Sequence, residues 1–164
     1  MHFLRFDSRQ ARSRPASLSD MVTLGGSLTS CFYEVISIKI TLYRLAKNSQ
    51  IISSLINAAK NGKKVTVQIE LQARFDEASN ISYAEQMQLE GIELIFGIKG
   101  LKVHSKICVI ERIENEKIKR YGFISTGNFN ESTAKVYTDV TLFTSHQQIL
   151  KDIMRIFEFF DINY

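Results

Sequence analysis

The sequence predicts one α/β domain with a mixed, mostly parallel sheet flanked by helices. Three observations carry this expectation. Ile36, Ile38, Ile40 and Leu42 alternate with Ser37, Lys39 and Thr41, the period of two expected of a strand with one buried face. Ile52, Leu55, Ile56 and Ala59 then recur at helical spacing, and Val65, Val67, Ile69 and Leu71 alternate again. A strand, a helix and a second strand in this order form a βαβ unit, whose strands run parallel. With 164 residues, the chain has the length of one domain of ~150.

The elements follow in order. Residues 1–30 carry the only proline, Pro15, a Ser/Arg-rich run and the pair Gly25-Gly26, with no sustained apolar period. They read as a leader outside the folded domain, disordered by composition, and the domain itself spans 31–164. After the first strand, Ser49 offers an N-cap and Gly62 a C′ stop for the first helix. The pattern then repeats. Asn80 is placed to cap a helix carrying Ala84, Met87 and Leu89, closed by Gly91. A short strand follows at 92–96, then a loop with Gly97 and Gly100, and a further strand at 103–111. Residues 112–119 are polar and read as a hairpin-like connection, 121–125 as the returning strand and 137–144 as a last strand. An amphipathic helix at 145–160 places Ile149, Ile153, Ile156, Phe157 and Phe160 on its buried stripe.

Composition excludes several classes. No apolar stretch approaches the ~20 residues of a membrane span. Two cysteines, Cys31 and Cys108, make no disulfide framework, and no Cys/His group has zinc spacing. A reducing cytoplasm fits this usage. The net charge of +4 is spread thinly: residues 1–30 hold four arginines against two aspartates, and the rest is nearly balanced. Such a chain is not a nucleic-acid sponge, so a polyanion would bind at a few placed cations.

The most informative residues are His104 and Lys106. On a strand they project from the same face, two positions apart, where an imidazole can attack phosphorus while an ammonium offsets phosphoryl charge. A neighbouring lysine also depresses the histidine pKa. A half-exposed histidine beside a snorkelling lysine is the plain structural reading, and His-x-Lys alone favours it. Arg44 and Lys47 follow the first strand, and Arg74, Asp76 and Glu77 the second. Ligands of open α/β sheets gather at the strands' carboxyl ends, where arginine suits bidentate phosphate contacts. A surface ion pair is the alternative for each. Gly127, Asn128, Phe129 and Asn130 follow another strand, and serve equally as a turn or as donors to a phosphoryl oxygen. Tyr137 and Asp139 share one face of the final strand. His146 reads as a surface residue and Cys108 as core packing.

Together these pieces resemble a known family. The runs ITLYRLAKNSQIISSLINAAKNGKKVTVQIELQARFDEASN, GLKVHSKICVIER and YGFISTGNFNESTAKVYTDVTL are similar to polyphosphate kinase of the histidine-phosphorylating type. They match the first of its two C-terminal, phospholipase-D-like domains, over residues 36–164. The resemblance implies that His104 becomes phosphohistidine and that Lys106 and Asn128 stabilise the phosphoryl group. It puts Tyr137 at the ATP site, and Arg44 and Arg74 at the positions to which the family's Mg²⁺ is assigned. Arginine cannot ligate a cation, so these positions imply Mg²⁺ held through phosphate oxygens.

The implied substrates are ATP and inorganic polyphosphate, in the reaction ATP + polyphosphate(n) = ADP + polyphosphate(n+1). The implied partners are the kinase's remaining domains, including an N-terminal domain, a helical domain and a second C-terminal domain with another histidine. None of these fits within 164 residues, so the chain reads as a fragment keeping part of the active site. Two alternatives stay open. One is a polyphosphate-binding remnant without turnover. The other is a single-HxK phosphodiesterase or nuclease whose homodimer pairs two histidines.

Overall fold

In the computed structural model the described residues are 4–5, 34–70, 77–98 and 100–162, and the side chains of 4–5 and 77–79 lie outside the description. The predicted leader, Cys31, Leu71 and the whole stretch 71–76, with Arg74, therefore fall outside the described residues, apart from the two-residue strand β1 (Leu4–Arg5).

The remaining elements are β2 (Val35–Leu42), α1 (Gln50–Lys60), β3 (Lys64–Ile69), α2 (Glu77–Leu89), β4 (Glu93–Phe96), β5 (Ile107–Glu114), β6 (Lys117–Ser125), β7 (Val140–Thr144) and α3 (Gln147–Ile162), with a short 3₁₀ turn at Thr133–Lys135. They form a seven-stranded sheet in the order β1-β7-β6-β5-β2-β3-β4. The mixed α/β class holds. Parallel pairing, however, is confined to β2–β3 and β3–β4, while β2–β5, β5–β6, β6–β7 and β1–β7 are antiparallel.

The expectation of a mostly parallel sheet fails from β5 onward, where β5, β6 and β7 pair antiparallel. The polar stretch 112–119, expected as a hairpin-like connection, is the tip of the β5–β6 hairpin, with strand on both sides of the turn. Asn115 and Glu116 both adopt positive φ, at 49° and 62°, the turn that suits a two-residue hairpin. The polar residues pair across the ladder instead of looping out. Glu111 lies opposite Arg120 and accepts its Nε–H at 2.9 Å.

Helices cover both faces. Ile38, Ile40, Leu42, Val65, Val67, Cys108 and Phe123 form one core with Ile52, Leu55 and Ala58 of α1 and Met87 of α2. On the opposite face, Ile107 and Val109 pack with Leu150, Ile153, Phe157 and Phe160 of α3. Alternate residues of β5 thus serve opposite cores, as a strand buried on both sides requires. Ile156, expected on the buried stripe of α3, is 39 % exposed, and Leu89 of α2 is 88 % exposed.

Helix starts also differ from expectation. Asn80 does not cap α2. It lies inside the helix, fully buried, and donates Nδ2–H to the carbonyls of Tyr43 (3.3 Å) and Glu70 (3.0 Å), joining the residues that follow β2 and β3. Ser49 holds the N-cap position of α1 but makes no side-chain cap bond. Glu131 supplies it instead, accepting the Gln50 N–H at 2.8 Å and the Ser49 hydroxyl at 3.3 Å. Gly62 closes α1 with φ 75°, as expected.

Candidate active site

The sheet topology brings unlike strand ends to one rim. β2, β3, β4 and β6 contribute their carboxyl ends, and the antiparallel β5 and β7 their amino ends. Arg44 leaves this rim after β2, His104 and Lys106 enter it before β5, and residues 126–131 follow β6.

His104 and Lys106 are not in the strand. The β2–β5 ladder ends at the pair Ile40–Cys108, and β5 begins at Ile107. Beyond that point a side chain replaces the backbone ladder. The Thr41 hydroxyl donates to the Ser105 carbonyl at 2.7 Å and accepts the Ile107 N–H at 3.1 Å. On the other side the Ser125 N–H donates to the Lys106 carbonyl at 2.8 Å. These bonds hold the segment between β2 and β6 without making it a regular strand.

Lys106 is only 5 % exposed, and its Nζ donates to the His104 carbonyl at 2.6 Å. Burial pushes the Lys106 ammonium below the usual lysine range, and the nearby Asp139 carboxylate acts the other way. His104 is exposed and meets the Tyr43 ring edge to face, centroids 4.7 Å apart. Partial burial, then the charges of Lys106, Lys102 and Arg44, hold its imidazole below the usual histidine range. The same three cations lie over Tyr43: Lys102 Nζ at 5.4 Å, Lys106 Nζ at 5.6 Å and Arg44 Cζ at 6.0 Å from its centroid. A neutral imidazole among three cations is suited to attack an anionic phosphoryl group.

The loop after β6 lines the neighbouring edge. Gly127 packs so tightly on Asp139 that a Cβ there would overlap its carboxylate. Asp139 in turn accepts the Thr126 hydroxyl at 2.9 Å. The Asn128 amide oxygen is buried without a hydrogen-bond partner. Asn130 accepts the N–H groups of Ser132 and Thr133, closing the turn that follows. Tyr137 corrects the expectation of a strand face shared with Asp139. It precedes β7, follows the 3₁₀ turn and is 63 % exposed. Cys108 is buried core, as expected, and burial raises its thiol pKa.

Mg²⁺ does not fit these residues as a protein-held ion. The groups that gather are a guanidinium, two ammoniums and an imidazole, and the first two types offer a cation no lone pair. Among the described residues no three His, Cys, Asp or Glu side chains converge. Arg44 could therefore meet Mg²⁺ only through the phosphate oxygens of a substrate, the sense in which the resemblance implies it, and Arg74 is outside the described residues.

Residues 29–164 match the family model described as Polyphosphate kinase C-terminal domain 1. The chain belongs to this family. Over 130 residues, 79 % of its length, it is 52 % identical to polyphosphate kinase of Yersinia pestis and 51 % identical to that of Escherichia coli K12. The polyphosphate kinase domain described here spans about a fifth (19 %) of each of those relatives. It superposes on the crystal structure of polyphosphate kinase from Porphyromonas gingivalis with a TM-score of 0.76 and 35 % identity, covering 99 % of this chain and 26 % of that one. A phospholipase D family member, Nuc from Salmonella typhimurium, shares the fold at TM-score 0.58 and 16 % identity, covering 78 % of this chain and 77 % of that one.

The domain's sequence conceals several residues of this rim. Tyr43 looks like one more core residue after ITL, and Lys102 like a loop cation. Glu131 docks on α1 from 81 residues away, a contact that no local pattern encodes. The one available signal was the YR pair at the end of a predicted parallel strand.

Proposed function

We propose that this chain is the phosphoryl-accepting domain of a polyphosphate kinase, working through a phosphohistidine on His104. The reaction is ATP + polyphosphate(n) giving ADP + polyphosphate(n+1). The observation that carries the reading is the exposed His104 imidazole, held with Arg44, Lys102 and Lys106 around one ring at the sheet's rim.

The unprotonated ring nitrogen of His104 attacks the γ-phosphorus in line with the departing ADP oxygen, forming the P–N bond as the P–O bond breaks. Arg44 and Lys102 offset charge on the equatorial oxygens, and Lys106 adds its field from beneath while fixing the His104 backbone. The terminal phosphate of polyphosphate then attacks the phosphohistidine, regenerating the free imidazole. Asn128, with its amide at the same rim, orients the phosphoryl group. Arg74 and Tyr137 complete the phosphate and nucleotide sides, and Mg²⁺ accompanies the substrate phosphates rather than a protein carboxylate cage.

The kinase domain is assigned to residues 31–164 and residues 1–30 to a leader, of which Leu4–Arg5 adds the strand β1 beside β7. The remaining four fifths of a polyphosphate kinase supply the rest of the site. A cytoplasmic setting accords with these substrates. Among the described residues no helix is long and apolar enough to cross a membrane.

The test is a chimera in which this chain replaces the matching segment of the Escherichia coli polyphosphate kinase. It should elongate polyphosphate, and His104→Ala should reduce the rate at least about a thousandfold. A folded chimera that elongates equally well with His104→Ala contradicts the reading.

A further inference from the structure

The backbone that carries Arg44 belongs to no regular element. Residues 43–49 lie between β2 and α1, and the β2–β3 ladder ends just before them, where the Glu70 N–H donates to the Leu42 carbonyl at 3.1 Å. Two parallel strands that stop together leave their next carbonyls without ladder donors, and buried carbonyls need partners. The Asn80 amide meets both. It donates Nδ2–H to the Tyr43 carbonyl at 3.3 Å and to the Glu70 carbonyl at 3.0 Å, from a fully buried position inside α2.

Tyr83 lies three residues further along α2, on the same helical face. Its hydroxyl donates to the Ala46 carbonyl at 3.2 Å and accepts the Ser49 N–H at 3.0 Å. Asparagine is a poor helix former, and a helix with only a core to fill would carry apolar side chains at both positions. What the two polar side chains share is the segment they grip. They hold the carbonyls of Tyr43 and Ala46, one before Arg44 and one after it, and the intervening Leu45 is itself buried.

We infer that Asn80 and Tyr83 are positioning residues: from α2 they fix the backbone on both sides of Arg44 and so set where its guanidinium meets the phosphoryl group. Arg44 has that task only under the activity proposed above, whereas the grip on its segment can be measured without it.

The experiment uses the Escherichia coli chimera carrying this chain, with Tyr83→Phe and Asn80→Ala each made alone and together with Arg44→Ala. Tyr83→Phe deletes one hydroxyl and keeps the packing of the ring, so it decides the matter even where Asn80→Ala does not fold. Arg44 acts on charge that develops during transfer, so Tyr83→Phe should lower kcat about tenfold and leave KM for ATP within about twofold of the parent. With Arg44 already replaced by alanine, adding Tyr83→Phe should change kcat by less than about twofold, because the group it positions is gone. A side chain that served stability alone would slow both backgrounds alike. Hydrogen exchange gives a readout apart from turnover: over 43–49 it should quicken at least about tenfold in Tyr83→Phe, at the Ser49 amide, with β3 unchanged.

An equal loss of kcat in both backgrounds overturns the inference. So does an undiminished kcat, or exchange over 43–49 as slow as in the parent. A parent chimera that elongates nothing contradicts the proposed activity instead, and the exchange rates still decide whether Tyr83 holds the segment.

Discussion

His104 and Tyr43 stand edge to face, their ring centroids 4.7 Å apart and their planes at 87°. This pair fixes where a nucleophile sits relative to the cations around it. Its consequences can be measured.

The first concerns pH. Partial burial and the charges of Lys106, Lys102 and Arg44 lower the His104 pKa below 6.5. The neutral ring is therefore already the major form at pH 7. Phosphorylation should rise with pH through a midpoint below 6.5 and be flat at neutrality. The unfolded chain binds more protons in the window between that midpoint and 6.5, so stability also rises with pH there. A pH–rate profile whose acid limb lies above 6.5 would show that the cations do not act on His104.

Lys106 should separate chemistry from stability. Its ammonium is buried and donates to the His104 carbonyl at 2.6 Å. Lys106→Met fills the same space without burying a charge, so the fold should be kept or strengthened. Phosphoryl transfer should nevertheless fall about a hundredfold. Paired thermal melts and labelling rates check this, and a variant that labels at the parent rate contradicts the assigned role.

Glu131 ties the loop carrying Asn128 to the start of α1, through the 2.8 Å bond from the Gln50 N–H. Glu131→Ala removes a helix cap and should cost about 1 kcal/mol, seen as a melting temperature lower by about 2–4 °C. Glu131→Gln keeps an acceptor and should recover most of the loss. Equal melting temperatures for the alanine variant and the parent would show that the cap carries no stability.

Two glycines should both resist alanine, with different consequences for the site. At Gly122 a Cβ would overlap the Cys108 carbonyl and come within 2.8 Å of Leu150 Cδ2, so backbone must move. Gly122→Ala should lower stability by about 1–3 kcal/mol or more. At Gly127 the obstacles are the Asp139 carboxylate and its Cβ, the latter 2.8 Å away and unmoved by any rotation of that side chain. Gly127→Ala should also lower stability and, in addition, disturb the Asp139–Lys106 side of the site. Denaturant titration and labelling rates of both variants test this, and a Gly127→Ala variant as stable as the parent would contradict it.

The sequence made some of this legible and hid the rest for physical reasons. The β2–α1–β3 unit reads plainly because each element buries one face against a core, which forces the apolar period. The β5–β6 hairpin reads as a hairpin-like connection, but the reach of its strands to Glu114 and from Lys117 does not, since this distal half is stabilised by polar pairs such as Glu111–Arg120 and its Asn115-Glu116 turn lacks the glycine that usually marks one. His104 and Lys106 are legible as a pair but not as lying outside the strand, because the Thr41 hydroxyl that takes over the ladder lies 64 residues from Ser105. Tyr137 reads as part of a strand that begins three residues later. Tyr43 stays hidden because a tyrosine next to a buried strand looks like core until its neighbours in space are known.

The most direct measurement is to incubate the Escherichia coli chimera carrying this chain with γ-labelled ATP and Mg²⁺, then locate the label by peptide mapping under conditions that preserve P–N bonds. One phosphate should sit on His104, stable to base and lost in acid, absent in His104→Ala and retained in His146→Ala. A chimera that elongates polyphosphate yet carries no label on His104 would contradict the phosphohistidine.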